Sequence, residues 1–184
     1  MAKAEILMPF IKSWEGGYVN DQNDRGGATN KGVTIATFRQ VFGKDKTVSD
    51  LKNMTDAQWL TVFRKYYWNR WRADNINDQS IANLLVDWVW ASGKYGITIP
   101  QSVMGVLTDG MVGGKTLGMV NAREPQELFA ALWQRRKQFI ENICNTRPAN
   151  RIFYAGWMGR LNGIQYGYLK YNNGIKHYYG KDED

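Results

Sequence analysis

The chain has 184 residues, 43% hydrophobic and 22% charged, and a formal net charge of +7. This length fits one domain, or one domain with a small lobe, and the composition can bury a core and excludes intrinsic disorder. A single cysteine and a single histidine exclude an internal disulfide and argue against a structural zinc site or a histidine-based triad. Metal-free, cofactor-free carboxylate chemistry is then the natural enzymatic option.

In chain order, Leu7, Phe10, Ile11 and Trp14 share one helical face, which predicts a helix over about residues 3–15 with Pro9 as a kink or a late start. The helix runs into Trp14-Glu15-Gly16-Gly17-Tyr18, where the two glycines are expected to end it. A carboxylate at a helix C-terminus feels the negative end of the dipole. That field favours its protonated form and suits Glu15 to general acid catalysis, which glycosidic cleavage requires. Residues 16–33 are rich in Gly, Asn and Asp and read as a loop or short hairpin, with Lys31-Gly32-Val33-Thr34-Ile35 the most strand-like piece. Polar groups gathered so soon after Glu15 resemble the floor of a sugar site. Asp21 and Asp24 are candidates for a second carboxylate; the alternative is turn chemistry, in which Asp bonds its own backbone. Thr29 either serves the site with its hydroxyl or faces solvent from a strand. Tyr18 either walls a sugar cleft or packs within a hairpin.

Thr34 is predicted to cap a helix through Phe42 that stops at Gly43. Thr55-Asp56-Ala57-Gln58 forms a capping box and opens a helix carrying Leu60, Phe63, Tyr67 and Trp71. Ile81, Leu84, Leu85, Trp88 and Val89 mark the next helix, ended by Ser92-Gly93. Asp87 lies on that apolar helix and needs a partner if buried, such as Arg160 or a backbone donor; the other reading is sugar contact. A weaker helix near residues 97–105, a turn at Asp109-Gly110 and a short helix near 116–121 follow. Glu124-Pro125 opens a long helix through about Cys144, proline being well placed at a first helical position. Its basic run, Gln134-Arg135-Arg136-Lys137-Gln138, reads as a solvated face, and Cys144 as a buried small apolar residue. After Pro148 comes a last helix with Ile152, Phe153, Trp157 and Leu161, whose glycines at 156, 159, 163 and 167 permit close approach of a neighbour. The tail from Tyr171 is expected to fray. Most of the 8 tryptophans are expected in the core. The pattern is mainly helical with one small β element.

The basic excess favours polyanionic partners: nucleic acid, anionic lipid or a bacterial envelope. Lys and Arg are scattered rather than interleaved with aromatics, which argues against nucleic acid. The N-terminal residues lack the apolar core and cleavage site of a Sec signal peptide, and no apolar run reaches the roughly 18 residues of a membrane span. The expectation is a monomer, made in the cytoplasm without membrane insertion and brought to an outside substrate by another system.

The string Glu15-Gly16-Gly17-Tyr18-Val19-Asn20-Asp21, followed by Asp24-Arg25-Gly26-Gly27-Ala28-Thr29-Asn30-Lys31-Gly32-Val33-Thr34, resembles the glycoside hydrolase family 108 muramidases, many of them phage endolysins. Leu85-Val86-Asp87-Trp88-Val89-Trp90-Ala91-Ser92-Gly93 is similar to the family's Asp-containing helix ending in Asn-Ser-Gly, with Ala91 in place of the Asn. Gln101, Gly105, Asp109-Gly110, Gly113 and Thr116 resemble a peptidoglycan-binding-type C-terminal half, and Arg136, Phe139 and Phe153-Tyr154-Ala155-Gly156-Trp157-Met158-Gly159-Arg160 its closing helices. The resemblance covers about residues 5–162. It implies a mainly α, lysozyme-like α+β fold with a small β-hairpin beside the catalytic helix. It divides the chain into a catalytic lobe (1–94) and a helical half (95–184), packed as one unit. It implies hydrolysis of the β-1,4 bond between N-acetylmuramic acid and N-acetylglucosamine in peptidoglycan strands, with Glu15 as acid and Tyr18, Asp21, Asp24, Thr29 and Asp87 as substrate contacts. The Glu15, Asp24, Thr29 order is that of phage-type lysozymes. The segment around Asp109 binds peptidoglycan on this view, or only completes the core. A lytic transglycosylase and a non-catalytic wall-binding module are the alternatives.

Overall fold

The computed structural model describes residues 1–180. Helix α1 (Ala4–Trp14) passes through Pro9 and buries Ala4, Leu7, Phe10 and Ile11, the spacing of a single helical face. It ends one residue before Glu15, which is extended at φ −87° and ψ 145°. Neither following glycine adopts a left-handed conformation, so the stop is not a glycine cap.

Strands β1 (Thr29–Asn30) and β2 (Val33–Thr34) form an antiparallel hairpin, with Asn30 opposite Val33. Lys31 and Gly32, expected within a strand, are its two-residue turn. Both have positive φ, 49° and 81°, the signature of a turn whose twist matches that of its strands. A bridge from Val19 to Thr29 extends the pairing, and the Trp59 indole donates to the Lys31 carbonyl at 3.0 Å. The hairpin is thereby fastened to the helical body.

Helix α2 (Ile35–Phe42) starts at the Thr34 cap and stops at Gly43, as its sequence predicts. Helix α3 (Val48–Lys52) was not anticipated; Thr47 and Asp50 form its capping box. Helix α4 (Asp56–Tyr66) opens on the Thr55–Gln58 box and is shorter than expected, because the chain tightens into 3-10 turns at Trp68–Trp71 and Ala73–Asn75.

Helix α5 (Gln79–Ser92), capped by the Asp78 carboxylate, is buried on every side from Ser80 to Val89 and forms the axis of the molecule. Helix α6 (Tyr95–Met104) packs against it across Gly96, where a Cβ would lie 2.5 Å from the Val89 nitrogen. Helix α7 (Gly114–Ala122) leads to the long α8 (Pro125–Thr146), which starts with proline at its first turn and packs on α5. Helix α9 (Arg151–Asn162) lies on α8. Gly159 faces Trp14 and Gly163 faces Phe10, whereas Gly156 borders open space.

A second sheet, also not anticipated, follows: β3 (Ile164–Gln165), β4 (Tyr168–Lys170) and β5 (Lys176–Tyr178) pair antiparallel in that order. The tail expected to fray from Tyr171 is thus paired through Tyr178, and residues 181–184 of the expected C-terminal half lie outside the described residues. Tyr166 donates to Asp78, the α5 cap, at 2.8 Å, and Tyr179 bonds Ser80 at 2.9 Å. Two small sheets therefore flank a helical body. Trp59, Trp68, Trp71 and Trp88 are buried in its core; Trp14, Trp90, Trp133 and Trp157 reach its surface only in part.

Candidate active site

Glu15 stands where α1, α5, α9 and the hairpin turn meet. The Trp90 indole, near the end of α5, donates to Oε1 at 2.6 Å, and Arg160 of α9 donates to the same oxygen at 3.0 Å. Oε2 faces the turn: a Cβ on Gly32 would come within 3.2 Å of it and within 2.6 Å of the Trp90 ring. Glycine at 32 thus serves two needs, a positive φ and a gap beside the carboxyl. The Glu15 side chain keeps 23% of its surface exposed, enough to meet a substrate.

Arg160 is itself held from below. Its Nη2 and Nε bond Asp87 Oδ1 at 2.7 and 3.1 Å, and Arg136 Nη2 bonds Asp87 Oδ2 at 2.8 Å. The Asp87 and Arg136 side chains are 0% and 3% exposed. Burial pushes the Asp87 carboxyl up, but the adjacent charges and hydrogen bonds of Arg160 and Arg136 outweigh it and hold the group below the usual carboxylate range. Burial lowers the Arg160 guanidinium, and Asp87 and Glu15 more than restore it. The result is a relay of alternating charge, Arg136–Asp87–Arg160–Glu15, that fixes the guanidinium fork bidentately beneath the acid. Arg136 does not join the solvated face expected of its basic run. It lies on the stripe of Leu128, Leu132, Ile140 and Cys144, which turns it inward.

Aromatics wall the other side. The Tyr67 and Trp90 rings are 4.5 Å apart and those of Trp59 and Trp90 5.6 Å. Burial, and then the nearby Glu15 charge, push the Tyr67 phenol up. Trp90 and Tyr67 were not singled out as site residues in the sequence; Trp90 could have been suspected as a tryptophan one turn beyond Asp87 on the same helix.

The remaining sequence candidates lie on the loop and hairpin. Asp21 and Asp24 are exposed, and each accepts a backbone N–H two residues on, from Asn23 and Gly26, both at 2.8 Å. Thr29 is half-buried on β1, opposite Thr34. Tyr18 is half-buried against the core, with the Lys52 ammonium 5.4 Å over its ring. None of the four is a hydrogen-bond partner of Glu15 among the described residues; Trp90 and Arg160 are. Asp87 has no surface to present to a sugar. Asp109 accepts from Gln101 at 3.1 Å and from the Met111 N–H at 2.9 Å, bonds that shape its own loop. Among the described residues no cluster of His, Cys, Asp or Glu could hold a metal ion, and no helix is long and apolar enough to cross a membrane.

Arg160 is shared with two hollows. One, of about 590 Å³, lies between the end of α5, α8 and α9. The other, of about 360 Å³, is lined by Trp14, Ile152, Phe153, Gly156, Trp157 and Arg160.

The glycosyl hydrolase 108 family matches residues 8–93, and a family described as a predicted peptidoglycan domain matches residues 95–162. Among solved structures, that of Brucella abortus SagA superposes with a TM-score of 0.70 at 28% identity, over 88% of this chain and 90% of that one. No curated protein matches the chain. A lysozyme-like fold, a carboxylate held at a helix end beside a hairpin turn and these matches agree: residues 8–93 form a glycosyl hydrolase 108 domain, residues 95–162 match a predicted peptidoglycan domain, and the protein is a lysozyme-type peptidoglycan hydrolase.

Proposed function

We propose that the protein is an N-acetylmuramidase, cleaving the β-1,4 bond between N-acetylmuramic acid and N-acetylglucosamine with Glu15 as general acid. The observation that carries this reading is the asymmetry of the Glu15 carboxyl. Oε1 accepts from both Trp90 and Arg160, so its lone pairs are engaged. Oε2, beside the Gly32 gap, is left to carry the proton to the leaving glycosidic oxygen. Trp90 and Arg160 fix the carboxyl plane before substrate arrives, which removes reorientation from the chemical step. Water then attacks the oxocarbenium-like centre, and the enzyme acts on the wall as a bacteriolytic monomer. Asp24 and Thr29 hold that water or stabilise the charge.

Mass spectrometry of muropeptides released from purified sacculi tests the reaction. Reducing muramic acid ends are expected. Anhydro ends would identify a lytic transglycosylase, and no products a binding module. Glu15→Gln should retain the wild-type thermal midpoint and lose about 10²–10⁴-fold in rate, the usual contribution of a general acid. Near-normal clearing by that variant would overturn the assignment.

A further inference from the structure

The larger hollow beside Arg160 is not needed to explain proton transfer. Its walls come from both family-matched regions: Ser92 at the end of α5, Arg136 and Phe139 of α8, Arg147 just beyond it, and Trp157 and Arg160 of α9. Three arginines line it and no carboxylate does. Asp87, which engages two of them, lies fully buried beneath. Arg136 keeps a terminal nitrogen, Nη1, with no partner in the protein. Arg147 is exposed and lines the hollow with no ion pair among the described residues. The rest of the wall is largely aromatic and aliphatic. The hollow is therefore a cationic pocket with apolar sides, of a volume that holds a small ligand, and it shares a guanidinium with the acid.

We infer that this pocket receives the short acidic peptide carried by the lactyl group of alternate sugars in a peptidoglycan strand, with Arg147 pairing a peptide carboxylate. The inference rests on the muramidase reading for its substrate. A neutral sugar offers no charge to pair with Arg147, the one arginine of the hollow outside the Asp87–Glu15 relay. A peptide bearing a carboxylate and small apolar side chains matches both the charge and the walls, and it is the feature that distinguishes a peptidoglycan strand from a neutral polymer of N-acetylglucosamine. Arg160 places the pocket next to the scissile bond, so the peptide adds to the orientation of the strand across Glu15.

The probe is N-acetylmuramyl-L-alanyl-D-isoglutamine, titrated by NMR into the full chain, with the neutral N-acetylglucosamine disaccharide as control. Shifts from the probe should fall on Ser92, Phe139 and Trp157. Arg147→Gln should weaken binding about tenfold, as expected for one charged hydrogen bond, and Arg147→Glu should weaken it further. Both variants should keep the wild-type thermal midpoint. The ratio of kcat/KM on peptide-bearing strands to that on strands stripped of peptide should fall in the same order. Unchanged probe affinity in Arg147→Glu, or equal shifts of the same residues by the neutral disaccharide, would overturn the assignment. Peptide binding does not require cleavage: Glu15→Gln should bind the probe normally. A Glu15→Gln variant that remains active while Arg147→Glu loses the probe would reject the muramidase mechanism and leave the pocket standing.

Discussion

Asp87 places a negative charge inside an apolar helix, and its acid response follows from its two arginines. Arg160 and Arg136 hold the folded carboxyl below its ordinary value despite burial, so the unfolded chain takes up a proton there at higher pH than the folded one. The group's contribution to stability is complete above the unfolded value, about 4, and is lost as pH falls through the folded value. The thermal midpoint should therefore show no Asp87-dependent change between neutrality and about pH 5, and an Asp87-dependent fall below about pH 4. Asp87→Asn should remove that part of the acid limb and cost roughly 3–5 kcal/mol in urea denaturation, because the buried Arg136 loses its counter-ion and Arg160 keeps only Glu15. An unchanged acid limb in the variant would refute the assignment. Trp90→Phe is a finer probe: it keeps an aromatic ring against Tyr67 and removes the donor to Oε1. Turnover should fall about 10–100-fold, the worth of a hydrogen bond to a charged group, with KM little altered; a change confined to KM would place Trp90 in ground-state binding instead. The place of Glu15 at a helix end is legible in sequence because the apolar period of α1 breaks off there, which is a local pattern. Trp90 and Arg160 are less so, because their bonds to it span 75 and 145 residues. Arg136 carried a usable signal. It sits four residues from both Leu132 and Ile140, and a cation on an apolar stripe calls for a buried anion such as Asp87.

The hairpin is the element whose turn lies against the Glu15 carboxyl. Its turn presses Gly32 against the Trp90 ring and Oε2. Gly32→Ala combines an unfavourable left-handed backbone, costing roughly 1–2 kcal/mol, with a methyl group where the indole now lies. Trp90 would be displaced from Oε1, and activity should fall by more than the loss of stability explains. Gly16→Ala and Gly17→Ala meet nothing within 4 Å and need no positive φ, so both should remain near wild type in melting and in muropeptide release. The opposite ranking would show that the loop after Glu15, not the turn, governs the acid. Local chemistry explains which elements could be foreseen. The starts at Thr34, Thr55 and Glu124-Pro125 are encoded within a few residues, and helices begin there as predicted, although α4 stops short of Tyr67 and Trp71. Helix α3 has the same kind of cap, Thr47 with Asp50, but only five residues and no long apolar period to announce it. The C-terminal sheet is hidden for a different reason. Its strands have two or three residues, and tethers to α5 through Tyr166 and Tyr179 fasten it.

At the scale of the whole molecule, charge divides into two populations. In the formal count the relay sets two arginines against two carboxylates and sums to zero, so the formal +7 belongs to the remaining residues. That excess should draw the protein to an anionic wall through fields that salt screens over about 8 Å at physiological strength. Binding to intact sacculi should weaken steeply from low to moderate salt, while cleavage of a short neutral oligosaccharide changes little. Equal salt dependence of the two would mean that surface charge acts at the bond being broken. The relay has a further consequence in time. Residue 15 leaves the ribosome early, whereas the guanidinium that orients it belongs to a helix translated 145 residues later. A nascent chain therefore carries Glu15 without the clamp, and on the role proposed for Glu15 catalytic competence arrives only when α9 docks onto α8. On that role the protein remains unarmed throughout most of its own synthesis, and a chain cut short before Arg160 would lack the clamp on Glu15.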